Sequence, residues 1–236
     1  MKKITMLCSL FLLLFASLAS AQVTIGEGDI QTANGPFEPY YGYTYAQTIY
    51  TAQEINATGS ITSLTWSYSG TSLLPNSQQM VVYLGHTTKN SFANNTDWES
   101  STVLTQVYSG GITVTPPVAP ATSSQVTITF TTPFAYNGTD NLIVAVEENM
   151  AGYDSSSDDF LNTEVSSDRT ICYYSDSTNP TITAPPAANS TNTSFIPNIV
   201  LGGITQVCPN PTAGTSTAIT TTTATLGWSQ VGTVAL

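Results

Sequence analysis

The chain of 236 residues sets four lysines and arginines against fifteen aspartates and glutamates, a formal net charge of −11. Nucleic acids and anionic lipids are held by clustered cations, so this balance excludes both as partners. A hydrophobic content of 41% in regular alternation also excludes an intrinsically disordered chain.

Residues 1–21 read as a secretory leader. Met1, Lys2 and Lys3 give a positive start, an apolar run follows from Leu7 to Leu18, and Ala19-Ser20-Ala21 predicts cleavage between Ala21 and Gln22. The run is shorter than the roughly 20 residues that span a bilayer, and no second long apolar stretch follows. A lipid anchor needs Cys after the cleavage point, where Gln22 stands. The expected location is secreted, extracellular or on the cell surface by way of the periplasm, with no membrane span. Without the leader only Lys89 and Arg169 face the fifteen carboxylates, a formal −13.

Strand signals then recur along the chain. Candidates cover Gln47–Ile55, Val103–Tyr108, Thr170–Ser175 and Phe195–Leu201. Leu64, Trp66 and Tyr68 alternate with Thr65 and Ser67, and Val126, Ile128 and Phe130 alternate with Thr127 and Thr129. Such a pattern gives one apolar and one solvated face. Met80–Leu84 and Leu142–Val146 are apolar throughout and read as central strands covered on both faces. Asn34-Gly35 and Asn137-Gly138 supply turn residues, while Pro116-Pro117 and Pro185-Pro186 mark loops. A helix-period stretch is missing, save a turn near Asn95–Ser100. The expected fold is all-β: an antiparallel, jelly-roll-like β-sandwich over residues 22–203 with nine or ten strands.

At Gly202-Gly203 the composition changes. Val207-Cys208-Pro209-Asn210-Pro211-Thr212 opens a new unit, continued by Ile219 to Trp228. A Pro-containing strand followed by a Thr-rich strand ending Leu226-Gly227-Trp228 resembles the start of a fibronectin type III domain. That sandwich takes about 100 residues, so residues 204–236 are expected to be its N-terminal fragment, poorly packed by itself. The earlier runs Pro39–Tyr50, Val82–Thr87, Pro133–Leu142 and Tyr173–Asp176 resemble a β-rich module of Bacteroidetes-type proteins exported by type IX secretion. That resemblance implies architecture and export and brings no catalytic residues.

Chemistry-bearing motifs are sparse. His86 is the only histidine; no Gly-x-Ser-x-Gly elbow, His-Glu-x-x-His or Cys-x-x-Cys motif accompanies it. A structural His86 is therefore expected. Glu147, Glu148, Asp154, Asp158 and Asp159 fall in one stretch. Glu147, Asp154, Asp158 and Asp159 are candidate calcium ligands, because calcium gathers six to eight hard oxygens. A solvated acidic loop is the alternative. Tyr41, Tyr43 and Tyr45 would share one face of a strand, either stacking on sugar rings or packing against the sheet. Cys172 and Cys208 pair if an oxidising compartment and geometry allow. Asp176-Ser177-Thr178 resembles a Bacteroidetes O-glycosylation signal.

The expected function is a non-catalytic extracellular module serving adhesion or contact with glycans or cell-surface proteins. An accessory domain of a secreted protease or glycosidase, with its catalytic domain elsewhere, is the alternative.

Overall fold

In the computed structural model, the described residues are 21–32, 35–189, 194–206, 212–217, 220, 222–223 and 225–229. The strands are β1 (Gln22–Ile25), β2 (Ile30–Thr32), β3 (Tyr43–Tyr50), β4 (Ala57–Tyr68), β5 (Met80–Thr87), β6 (Thr105–Gly110), β7 (Ser124–Tyr136) and β8 (Asn141–Glu148). They continue as β9 (Phe160–Glu164), β10 (Thr170–Ser175), β11 (Phe195–Pro197), β12 (Ile199–Gly202), β13 (Thr205–Gln206), β14 (Thr212–Thr217) and β15 (Thr225–Ser229). A single helical turn, α1 (Ala52–Ile55), and a 3₁₀ turn at Ser101–Val103 complete the set.

One sheet runs β1-β12-β4-β9-β11, with β7 and β13 also on β4 and β2 on β9; the other runs β10-β3-β8-β5-β6. All pairings are antiparallel. The first sheet contributes Leu64, Trp66, Tyr68, Val126 and Ile128 to a core that the second completes with Tyr50, Val82, Leu84, Val144 and Val146. Period-2 alternation puts these side chains on the facing sides, and their burial is the main driving force of the β-sandwich.

The second sheet is buried on its other face too. Ile49, Ile143 and Ile171 pack with Phe92 and Ala188, and Tyr45, Tyr83 and Ala145 pack near Trp98, Leu104 and Ile182. Two irregular segments supply this cover. They are fastened by Trp98 Nε1–H to the Pro186 carbonyl (2.8 Å) and by Glu99 N–H to Gln47 Oε1 (2.7 Å). Hence the unbroken apolar runs of β5 and β8, as their sequences predict.

Four expectations are corrected. The strand expected over Gln47–Ile55 stops at Tyr50, because Thr51 and Glu54 form a capping box that opens α1. That expected over Phe195–Leu201 divides at Asn198, where the chain leaves β9 and joins β4. Asn198 ties this crossing: its Nδ2 donates to the Gly28 carbonyl and its Oδ1 accepts from Thr163 Oγ1, both at 2.7 Å. With the short β2 as well, the described residues hold twelve strands between Gln22 and Gly202 rather than nine or ten. Finally, the turn expected near Asn95–Ser100 falls slightly later, at Ser101–Val103, capped by Ser100.

β13 pairs with β4 and β14 pairs with β15. Residues 1–20 of the expected leader and Cys208 lie outside the described residues, as do 207–211 and 230–236 of the segment expected to start a second domain.

Arg169 is 3% exposed and forks onto Glu54, with Nη1 to Oε2 at 2.6 Å and Nη2 to Oε1 at 2.8 Å. Burial raises the Glu54 pKa, but the hydrogen bonds from Arg169 and Thr51 outweigh it and hold the carboxyl below its usual range. Arg169→Met is expected to cost about 1–3 kcal/mol, because it breaks a bidentate pair whose Arg169 side is buried while Glu54, about a third exposed, regains water. Arg169→Met with Glu54→Gln should cost less than Arg169→Met alone in urea denaturation. A double-variant loss equal to the sum of the Arg169→Met and Glu54→Gln losses would show that the pair is not coupled.

Candidate functional site

β3 and β5 begin, and β8 and β10 end, at the same edge of the second sheet. The segments flanking them, 37–42, 70–79, 149–159 and 174–178, therefore converge. Their backbones come close: a Cβ built on Gly42 would lie 3.1 Å from the Gly152 carbonyl oxygen and 3.6 Å from Asp176 Cα. Gly152 itself holds φ at +118°, a conformation open to glycine. Asp154 N–H donates to the Pro39 carbonyl (2.8 Å), and Gly42 N–H to Asp176 Oδ1 (3.2 Å).

Four tyrosines meet on this floor. Tyr41 stacks on Tyr174, centroids 4.2 Å apart and planes at 24°. Tyr40 stands edge-on to Tyr41 (5.3 Å, 77°) and to Tyr153 (6.2 Å, 65°). Tyr40 is 44% exposed and Tyr153 64%, so the patch presents ring surface to solvent.

A buried carboxyl supports it from below. Glu38, 4% exposed, accepts Tyr40 N–H at Oε1 (3.0 Å), and its carbonyl accepts from Thr44 Oγ1 (3.0 Å) and Tyr41 N–H (3.4 Å). Glu38 Oε2 is buried without a hydrogen-bond partner. Burial chiefly, offset in part by the Tyr40 N–H and reinforced by Asp159, pushes its pKa up to about 7.

The three tyrosines singled out from the sequence do not form one platform. β3 starts at Tyr43, so Tyr41 lies in the preceding turn. Tyr43 is half-buried opposite Ser175. Tyr45 is fully buried, accepts from Gln47 Nε2 (2.7 Å) and packs on Trp98 at 5.0 Å. Tyr153 and Tyr174, which complete the patch, come from distant segments. The register of β10 on β3, with Tyr174 opposite Thr44, brings Tyr174 to Tyr41.

Nor are the candidate calcium ligands brought together. Glu147 and Glu148 are neighbours on β8 and so point to opposite faces of the sheet. Glu147 Oε2 accepts from Tyr83 Oη (3.2 Å), while Glu148 Oε1 accepts Met150 N–H (2.8 Å). Asp154 is engaged by Asn76 and Ser77, and Asp158 by the 68–72 segment and Ser155. Asp159 has its pKa raised by burial and by Asp158. Among the described residues no three His, Cys, Asp or Glu side chains form a metal-holding group.

His86 accepts Asn137 N–H at Nε2 (3.1 Å), with its ring against Phe134 and Tyr136. These contacts give it a structural part in the 136–141 turn. Cys172 is buried in β10, and its thiol approaches the Tyr173 carbonyl at 3.8 Å. Ser177 and Thr178 are exposed beside the patch, their amides donating to Ser175 Oγ. A separate polar groove of about 330 Å³ crosses the outer face of the first sheet, lined by Gln22, Thr24, Thr65, Ser67, Gln125 and Asn198 among others. No aromatic ring lines it.

Comparison with protein-family models, with curated proteins and with solved structures found no match. Among the described residues no helix is long and apolar enough to cross a membrane.

Proposed function

We propose that this chain is a non-catalytic, exported β-sandwich module that contacts glycans through the Tyr40–Tyr41–Tyr153–Tyr174 patch. The observation carrying this reading is exposed ring surface held on a buttressed floor. Aromatic faces pack on the apolar C–H faces of sugar rings, and phenol hydroxyls at their rims exchange hydrogen bonds with sugar hydroxyls. Tyr40 and Tyr153 bring that chemistry to solvent. Export rests on the leader-like residues 1–21. The resemblances to a type IX-exported module and to a fibronectin type III start support a place within a larger surface or secreted protein. The engagement of His86 by Asn137 N–H agrees with a non-catalytic role.

A glycan array probed with the full chain tests the proposal. Retention of a defined set of glycans is expected. Tyr40→Ala and Tyr153→Ala should each weaken it about tenfold, with little change in melting temperature for Tyr153, which is 64% exposed, and a modest fall for Tyr40, which is 44% exposed and packs on two rings. Failure to retain any glycan, or full retention by both variants, would refute it.

A further inference from the structure

Beyond the glycan reading and independent of it, we propose that the sandwich pairs with a second copy of itself along the open edge of β7. The pairing is antiparallel and two-fold, centred on Thr127. β7 is bonded along β4 and to no strand on its other side. Among the described residues no main-chain hydrogen bond other than those to β4 reaches Ser124–Phe130. A row of unbonded N–H and C=O groups is a template for another strand, and β proteins blunt it with short edges, proline, bulges or charge. The other edges of this sandwich are blunted or covered. β1, β2, β11 and β13 hold four, three, three and two residues. Along β10, Asn189 N–H donates to the Cys172 carbonyl (3.0 Å) and Asn189 Oδ1 accepts Tyr174 N–H (2.8 Å). On β6, the Val107 carbonyl accepts from Thr131 Oγ1 (3.1 Å). From Ser124 to Phe130, by contrast, β7 has no proline and no charge, and its register on β4 shifts only after Thr129.

Sequence and charge select the occupant. In a two-fold interface residue i meets j and j meets i, so the strand must complement itself. Pairing about Thr127 sets Val126 opposite Ile128 and Gln125 opposite Thr129. Directly opposite residues share a face of the sheet. The buried Val126 and Ile128 therefore meet on the core side, and the exposed Gln125, Thr127 and Thr129 meet on the solvent side. The central Thr–Thr contact has a counterpart within the sheet, where the Thr65 and Thr127 hydroxyls lie 2.9 Å apart. Each copy carries a net charge of −11, so two copies repel across most of their surface. The strands β1, β12, β4 and β7 nevertheless contain no Asp, Glu, Lys or Arg. Charge is depleted at the core of an interface, and along this edge no carboxylate is set against another.

Sedimentation equilibrium of the full chain over about 10 μM to 1 mM, the range of a small interface, should show its mass rising from monomer toward dimer. Thr127→Lys and Thr127→Glu each place like charges opposite one another across the two-fold axis. Each should weaken association at least about tenfold. An equimolar mixture of the two should recover the dimer, because Lys then faces Glu; no other interface gives that rescue. Thr127 is exposed, so both variants should keep the far-ultraviolet spectrum of the parent. Hydrogen exchange needs no variant: amides of Ser124–Phe130 should be better protected at the upper concentration than at the lower. A parent that stays monomeric throughout, or exchange that ignores concentration, overturns the inference. So do variants that dimerise as the parent does, or a mixture no more associated than its components.

Discussion

An Asp158→Ala chain is expected to unfold far more easily than its parent, with roughly 3–5 kcal/mol of stability lost. Asp158 is 1% exposed. It accepts hydrogen bonds from Tyr68 Oη (2.8 Å), Thr71 N–H (2.9 Å) and Ser72 N–H (3.1 Å), and from Ser72 Oγ (2.6 Å) and Ser155 N–H (3.0 Å). Alanine leaves these donors facing a void, several of them main-chain groups with no freedom to reorient. Each orphaned buried donor costs on the order of 1–3 kcal/mol, reduced where water enters the space.

The sign with pH can be checked independently. Burial raises the Asp158 pKa, but hydrogen bonds led by Ser72 and Tyr68 outweigh it and hold the carboxyl below its usual range. Its contribution is present above the unfolded value and is lost as pH falls through the lower folded one. Asp158→Asn should therefore flatten the acid limb of the stability curve below about pH 4. Urea titrations at pH 7 and pH 3 measure both effects. An Asp158→Ala midpoint within error of the parent would show that the 68–72 and 155–158 segments hold together without it. Because Tyr153 rides on the same connection, the variant should also lose the most exposed ring of the patch.

These two segments show where sequence reading succeeds and where it stops. Alternation around Trp66 and Ile128 announced half-buried strands, and the continuous apolar run Leu142–Val146 announced a strand covered twice; both are local, and both are present. Thr51 and Glu54 also carry a legible helix-start signature, and it is what ends β3 at Tyr50. The site was harder. Asp154 and Asp158 suggest a cation loop only while their donors, Asn76, Ser77 and Ser72, remain out of view some eighty positions upstream. Likewise the tyrosine-rich run pointed to the right neighbourhood, yet Tyr45 points under Trp98 and the useful partners Tyr153 and Tyr174 arrive through strand register. Periodicity shows which face a residue takes; pairing decides what it meets there.

The second large effect runs against the usual pattern, in which a chain is most stable near neutrality. Glu38 and Glu148 are 4% and 2% exposed. Burial pushes their pKa values up to about 7 and about 8; Asp159 adds to the first and Asp154 to the second, against the backbone N–H groups that lower them. Both carboxyls fold preferentially in the neutral form. Their stabilisation is complete below the unfolded value near 4.5 and is lost as pH rises through the folded values of about 7 and about 8. Glu54, Asp97 and Asp158, with lowered values, act oppositely and lose their contribution only in stronger acid. Melting temperature should consequently peak near pH 5 and fall by several degrees toward pH 8.5. Glu38→Gln and Glu148→Gln mimic the neutral carboxyl. Each should raise the melting temperature at pH 8.5, leave it nearly unchanged at pH 5, and together flatten the alkaline slope. Glu38 accepts the Tyr40 N–H at its carboxyl and the Tyr41 N–H at its carbonyl, and a carboxylate formed there seeks water through the turn that carries both rings. Ligand retention should therefore weaken above pH 7 in the parent and persist in Glu38→Gln. A parent whose melting temperature rises steadily from pH 5 to pH 8.5 would show that these carboxyls ionise without cost.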